Sequence, residues 1–187
     1  MSKYIGFTII ELLVSIAILS SLVSIGVPSI NEFLVRMRVD SEISLLHRML
    51  LLARNNAVNN ELYVTLCPLT SQLKCSSNWQ GEVSVFSDIN KNRIYEPNAG
   101  DFLIKTKPAI PDGDKLQYGK NRIALIYGPT GRLAIWGGNA TFKYCPENHD
   151  DKSRGLVVSV SGRVYQTAYD DKYSQDTNRS GKTLLCS

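Results

Sequence analysis

FTIIELLVSIAILSSLVSIGV, residues 7–27, is a run of 21 residues with one charge, Glu11. At about 1.5 Å per residue, a helix of that length spans roughly 30 Å, the thickness of a bilayer's hydrocarbon core. A cleaved secretory signal would place a small-residue cut site after the run. Here Ser24 and Gly26 are followed by Pro28, and apolar residues continue at helical spacing into Ile30, Phe33, Leu34 and Met37. The segment therefore reads as a retained anchor. Glu11 is the anomaly. A carboxylate well inside an apolar span costs about 2.5–3.5 kcal/mol on insertion scales. The cost falls near a helix N-terminus, which favours negative charge. Such a group needs a positive partner, and the span offers none. A new amino terminus made by cutting before Phe7 would serve, as would the terminus of a neighbouring copy.

Moving outward, Ile43, Leu46, Leu50, Ala53 and Ala57 recur at intervals of three and four, and Leu45, Met49 and Leu52 widen the stripe. This predicts an amphipathic helix to about Asn59 with one face buried against a sheet. Arg36, Arg38, Asp40, Glu42, Arg48 and Arg54 fall on the opposite face. After Asn60 the period changes to two. Strands are expected at 61–67, 82–87, 102–106, 122–127, 132–136, 140–144, 155–160 and 162–167. Turn formers separate them, among them Pro111-Asp112-Gly113, Gly128-Pro129-Thr130-Gly131, Gly137-Gly138-Asn139 and Ser161-Gly162. One long helix followed by short antiparallel strands is an α+β pattern. The polar stretch from Tyr169 to Ser180 is expected to be a surface loop.

Composition agrees with one folded domain plus an appendage. The chain has 187 residues, 43% of them hydrophobic, 20% charged, with net charge +4. The apolar share excludes a disordered chain, and a mean hydropathy of −0.11 excludes a multi-span membrane protein. Lys3 and Glu11 cancel, so the whole excess lies in residues 29–187, with 20 basic and 16 acidic residues. That mild, mixed balance does not announce a nucleic-acid binder.

Gly6-Phe7-Thr8-Ile9-Ile10-Glu11-Leu12, opening the apolar run behind a six-residue leader with Lys3, resembles the processing motif of type IV pilins and type II secretion pseudopilins. The resemblance implies cleavage after Gly6 by a prepilin peptidase and methylation of the Phe7 amine. It makes Glu11 the assembly carboxylate, which pairs with the terminus of an adjacent subunit. The family's helix proline matches Pro28, which should kink the helix because it lacks an N–H. The domain reading is a leader at 1–6, a transmembrane and assembly helix at 7–28, the amphipathic helix of the head at 29–60 and a β-rich head at 61–187. The expected fold is α+β and pilin-like: a long N-terminal helix, half membrane-spanning and half amphipathic, on an antiparallel β-sheet head. The resemblance places the protein in the inner membrane as a single pass with its head in the periplasm, then in a pilus at the cell surface.

Cys67, Cys75, Cys145 and Cys186 all lie in the head, and four cysteines allow three pairings. Closure of the nearest pair favours Cys67–Cys75 and Cys145–Cys186. Such bonds persist in an oxidising periplasm. Zinc ligation is the competing use, but there is no CxxC pair, and His47 and His149 stand apart. Asp88-Ile89-Asn90-Lys91-Asn92 resembles the start of a calcium loop. That loop needs Gly at its sixth position and Glu at its twelfth, where this chain has Arg93 and Ala99, so a turn is expected. No nucleophile elbow, P-loop or dinucleotide fingerprint occurs, so no enzymatic role, cofactor or metal is expected.

Head motifs select a branch of the family. They are Leu51-Leu52-Ala53-Arg54-Asn55-Asn56-Ala57, Leu66-Cys67-Pro68, Val85-Phe86-Ser87-Asp88, Ala140-Thr141-Phe142 and Gly155-Leu156-Val157-Val158-Ser159 leading to Ser161-Gly162-Arg163. They look like the group containing the FimT and FimU minor pilins and the pseudopilin GspH. A FimU-like member would join other minor pilins and the major pilin, priming assembly for twitching and adhesion. A FimT-like member would bind DNA for natural transformation through a C-terminal G-R-x-R motif. A GspH-like member would serve type II secretion, and those pseudopilins tend to lack the cysteine pairs. In Gly162-Arg163-Val164-Tyr165 the first Arg matches and Tyr165 replaces the second. Lys152, Arg154, Arg163, Lys172, Arg179 and Lys182 could contact phosphates. Asp170, Asp171 and Asp176 dilute them. The FimU-like reading is favoured.

Overall fold

The computed structural model describes residues 8–187 except 120, 121, 135–139, 174, 185 and 187. Gly6 and Phe7 therefore lie outside the described residues, as do the side chains of Ile25, Pro28, Ser29 and Ala140. Helix α1 runs from Ile9 to Asn59 as one continuous element. The chain divides into two compact units, one reaching Met37 and one from Arg38 to Ser187.

In the first unit the described large apolar side chains of α1, such as Ile9, Leu12, Ile16, Leu22 and Phe33, are more than half exposed, except Val35, which is buried. Nothing in the unit covers the exposed ones. Its hydroxyls are treated differently. Ser15, Ser20, Ser21 and Ser24 donate to the carbonyls of Glu11, Ile16, Ile18 and Ser20 at 2.7–2.8 Å. Each polar group is satisfied inside the helix, as an apolar surrounding demands. Among the described residues no helix is long and apolar enough to cross a membrane. The run counted in the sequence also takes in Phe7 and the Ile25 side chain, which lie outside that set.

In the second unit α1 buries Val39, Ile43, Leu46, Met49, Leu50, Ala53 and Ala57. The spacing follows the 3.6-residue period, and Leu52, at the margin of the expected stripe, is exposed. The helix closes as a Schellman turn: Leu62 N–H donates to the Ala57 carbonyl at 3.2 Å, with Glu61 left-handed at φ 56°. That turn uses the residues where the first strand was expected to start. Strand β1 therefore begins later, at Val64–Pro68.

The remaining strands are β2 (Val83–Ser87), β3 (Leu103–Lys107), β4 (Lys115–Tyr118), β5 (Leu125–Tyr127), β6 (Ala140–Cys145), β7 (Arg154–Val158), β8 (Val164–Gln166), β9 (Ala168–Asp170) and β10 (Gln175–Thr177). They form two four-stranded antiparallel sheets, ordered β3-β2-β1-β5 and β4-β6-β7-β8, and a β9–β10 pair. Strands β1 and β2 are buried along their whole length, with Leu66 facing Val85 in register. Trp79 sits edge-on to Tyr118 and Phe142, with centroids 4.8 and 5.3 Å away, and donates its indole N–H to the Arg122 carbonyl at 2.8 Å.

Three expectations need correction. Residues 132–136 do not make a described strand: Leu133 forms a single bridge to Tyr127, and 135–136, like the expected turn at 137–139, lie outside the described residues. Strand β4 was not foreseen, because Lys115-Leu116-Gln117-Tyr118 has no β-branched residue. The stretch from Tyr169 to Ser180 is not a plain loop: it carries the β9–β10 hairpin, with Tyr169 opposite Asp176.

Candidate functional site

At the start of α1, Thr8 and Glu11 form a capping box. Thr8 N–H and Oγ1 both donate to Glu11 Oε2 at 2.9 Å, and Glu11 N–H donates to Thr8 Oγ1 at 3.3 Å. The signal for this was in the sequence as Thr-x-x-Glu ahead of an apolar run. Glu11 thus already has neutral donors within its own chain, without a cation. Both Thr8 donors reach Oε2.

In the second unit the polar face of α1 is tied down. Arg38 grips Asp114 with two nitrogens, Nε to Oδ2 at 3.0 Å and Nη2 to Oδ1 at 3.3 Å. Asp114 is buried and also accepts the Tyr144 hydroxyl and, at 2.9 Å, the Glu147 N–H. Burial, and then the hydrogen bond to Asp114 and its charge, push the Tyr144 hydroxyl far above its ordinary pKa, so it remains a donor. One turn along, Glu42 meets the buried ammonium of Lys107 at 2.6 Å. Asp40 pairs with Arg154 on β7. Arg54 donates Nε to the Gly131 carbonyl at 3.0 Å. Arg38, Asp40, Glu42 and Arg54, on the face opposite the buried stripe, are thus each engaged by a partner. Their partners come from loops and strands far along the chain, where no local periodicity can reveal them. Arg48 is exposed.

Arg54 also marks a close crossing of two turns. Gly131 N–H closes one on Gly128, and Gly162 N–H closes the other on Ser159, both at 2.8 Å. Gly162 has φ 80°, and a Cβ there would fall on the Gly131 carbonyl oxygen. No other residue fits this position without moving a backbone.

The disulfides are Cys67–Cys75 and Cys145–Cys186. Cys67 lies in an apolar cluster with Phe86 and Ala124, against which Leu69, Cys75, Tyr95 and Ile123 lie. The Asp88 loop is a self-satisfied turn: its carboxylate accepts from Thr65 Oγ1 at 2.7 Å, Asn92 N–H at 3.0 Å and Arg93 N–H at 3.1 Å. Among the described residues no three His, Cys, Asp or Glu side chains converge as metal ligands.

The C-terminal cations divide into two sets. Arg154 is taken by Asp40, and Lys152 contacts Asp151 at 3.1 Å. Arg163, Lys172, Arg179 and Lys182 are exposed. Arg163 donates Nε only weakly, to Ser161 Oγ at 3.3 Å. The Arg179 guanidinium lies over the Tyr165 ring, 4.1 Å from its centroid. The nearby acids are partly turned inward. Asp176 is buried and accepts from Thr167 Oγ1 at 2.6 Å. Burial raises its pKa, with Thr167 and Arg154 pulling it back and Asp40 raising it further. Asp170 accepts the Lys172 N–H at 3.0 Å.

The family model for the type II transport protein GspH matches residues 42–162. The model for the prokaryotic N-terminal methylation motif matches residues 1–27. In fold the chain is similar to the Pseudomonas aeruginosa PAO1 type IV minor pilin FimU, at TM-score 0.58 and 18% identity, covering 76% of this chain and 94% of that one. A second crystal form of FimU gives TM-score 0.55 at 18% identity, with 74% and 96% covered. The Vibrio cholerae minor pseudopilin EpsH aligns at TM-score 0.49 and 10% identity, over 70% and 97%. No curated protein sequence matches the chain.

Proposed function

We propose that this chain, which belongs to the GspH family, is a FimU-like minor pilin that joins a tip complex and primes filament assembly. The observation that carries this reading is the pair of disulfides within the head, Cys67–Cys75 and Cys145–Cys186, which GspH-like pseudopilins tend to lack. It acts as a structural subunit and performs no chemistry of its own. Residues 7–27 anchor it in the inner membrane before assembly, and the internally bonded serines of α1 suit that solvent. Cleavage after Gly6 frees the Phe7 amine, and Glu11 receives the amine of a neighbouring subunit, while Pro28 kinks the helix between its halves. Its partners are other minor pilins, the major pilin and the prepilin peptidase.

The Glu11→Ala variant should reach the membrane in normal amount, because export needs only the apolar run. Its recovery in sheared filaments should fall about tenfold or more, as expected when a charge pairing in a low-dielectric setting is lost. Fractionation and immunoblotting measure both, and normal incorporation would sink the role of Glu11. Co-purification from detergent-solubilised membranes separates the branches: pilus minor pilins support the FimU-like reading, and secretion pseudopilins overturn it.

A second reading, DNA binding, is favoured by one observation. The motif position lost to Tyr165 is covered by the guanidinium of Arg179, so a second cation stands where the sequence motif lacks one. Against it, Arg154 and Lys152 already have acidic partners. If this reading holds, the full chain in detergent binds duplex DNA with steep salt dependence, and Arg163→Ala or Arg179→Ala each reduces the salt slope by about one. Absence of binding at low salt removes it.

A further inference from the structure

The two disulfides sit in different chemical surroundings. Cys67–Cys75 packs in an apolar cluster with Phe86 and Ala124, against which the partly buried Leu69, Tyr95 and Ile123 lie. Cys145–Cys186 instead lines a solvent-open cavity of about 290 Å³ whose other walls are Gly113, Lys115, Pro146, Glu147, Asn148 and Asp150. In each bond one cysteine is buried and the other partly exposed, Cys75 in the first and Cys186 in the second. Cys145 is the buried one, at the end of β6. Lys115 faces Cys145 across the β4–β6 register and lines the same cavity. Ser153 Oγ lies 2.9 Å from the Cys186 sulfur.

We propose that Cys145–Cys186 is a thiol–disulfide exchange site served by a dithiol oxidoreductase, and that Cys67–Cys75 is structural and inert. Exchange requires an attacking thiolate to reach a sulfur and a leaving thiolate that is stabilised. The accessible sulfur is Cys186. Attack there forms a mixed disulfide with the dithiol and breaks the Cys145–Cys186 bond. Cys145 leaves as a thiolate into the cavity that Lys115 lines together with Glu147 and Asp150, and then takes up a proton. The second thiol of the dithiol attacks the mixed disulfide and releases Cys186 as a thiolate, to which the Ser153 hydroxyl can donate. Two electrons pass to the chain, the dithiol becomes a disulfide, and the reverse sequence closes the bond.

The opening is local. Leu184 stays buried, its N–H bonded to the Asp176 carbonyl at 3.0 Å, and Asp176 stays bonded to Thr167. Reduction therefore releases Cys186 from the end of β6 while leaving the sheets intact. The cavity then gives the head a reversible catch on its C-terminal segment, set by the thiol chemistry around it.

The test uses the oxidised full chain in detergent micelles. It is treated with limiting dithiothreitol under native conditions, quenched with an alkylating reagent over time and mapped by peptide mass spectrometry. Cys145 and Cys186 should be labelled at least about tenfold faster than Cys67 and Cys75, since the open polar cavity admits the attacking thiol and solvates the leaving thiolate, which an apolar cluster does not. Hydrogen exchange should rise at Cys145 and Cys186 and stay unchanged in β1 and β2. Lys115→Gln should slow reduction of Cys145–Cys186 several-fold without altering the melting temperature. Equal rates for the two bonds, earlier labelling of Cys67 and Cys75, or reduction only on global unfolding would each overturn the proposal. An unchanged rate in Lys115→Gln would overturn the part given to Lys115.

Discussion

Replacing Cys145 and Cys186 together by serine is expected to destabilise the head by about 4 kcal/mol, against about 2.5 kcal/mol for the Cys67 and Cys75 pair. The difference comes from loop length. The first bond joins residues 41 apart in sequence and the second joins residues 8 apart, so the first removes more freedom from the unfolded chain. Thermal unfolding of the detergent-solubilised full chain, followed by circular dichroism, should show a drop of roughly 10 °C for the longer loop. A loss under about 1 kcal/mol would mean that the unfolded chain is already held compact by other contacts. A bond can stabilise strongly and still exchange quickly, because stability follows loop entropy and exchange follows access.

Asp114→Ala is expected to cost about 3 kcal/mol, chiefly from leaving buried donors without an acceptor, with the Arg38 share reduced because that side chain is 38% exposed. Three groups lose their acceptor at once: the Arg38 guanidinium, the Tyr144 hydroxyl and the Glu147 N–H. Tyr144 is the most exposed to this loss in energetic terms, since it is buried in β6 and its hydroxyl has no route to water. Asp114→Asn should cost less, because its carbonyl oxygen can still accept one of the three. Chemical denaturation checks the order, and an alanine variant within about 1 kcal/mol of the parent would show that water replaces the carboxylate. Combining Asp114→Ala with Arg38→Met should recover part of the loss, because the cation no longer stands unpaired.

The sequence made some of this legible and hid the rest for physical reasons. The N-terminal motif and the buried stripe from Ile43 to Ala57 follow from spacing along one helix, so local pattern suffices. For Arg38, Asp40 and Glu42 the same spacing gives only the helix face they occupy. Their partners Asp114, Arg154 and Lys107 are supplied by tertiary contact. The β9–β10 hairpin was invisible because apolar alternation does not hold it. The buried Asp176–Thr167 bond and the nearby Cys145–Cys186 bridge hold its neighbourhood instead. Thr8 was the reverse case. Its Thr-x-x-Glu spacing was plain in the chain, but attention to a missing cation drew the reading away from the neutral donors beside Glu11.

The crossing of the two turns at Gly131 and Gly162 changes what a motif search learns from this chain. Scored as one word, Gly162-Arg163 counts as two letters in favour of a nucleic-acid signature. The glycine is fixed by the carbonyl beneath it whatever the surface does, so it would persist in relatives that never meet DNA. The discriminating information at this corner lies in Arg163 and in the distant Arg179. A profile that weights the glycine equally will sort architecture and mistake it for chemistry.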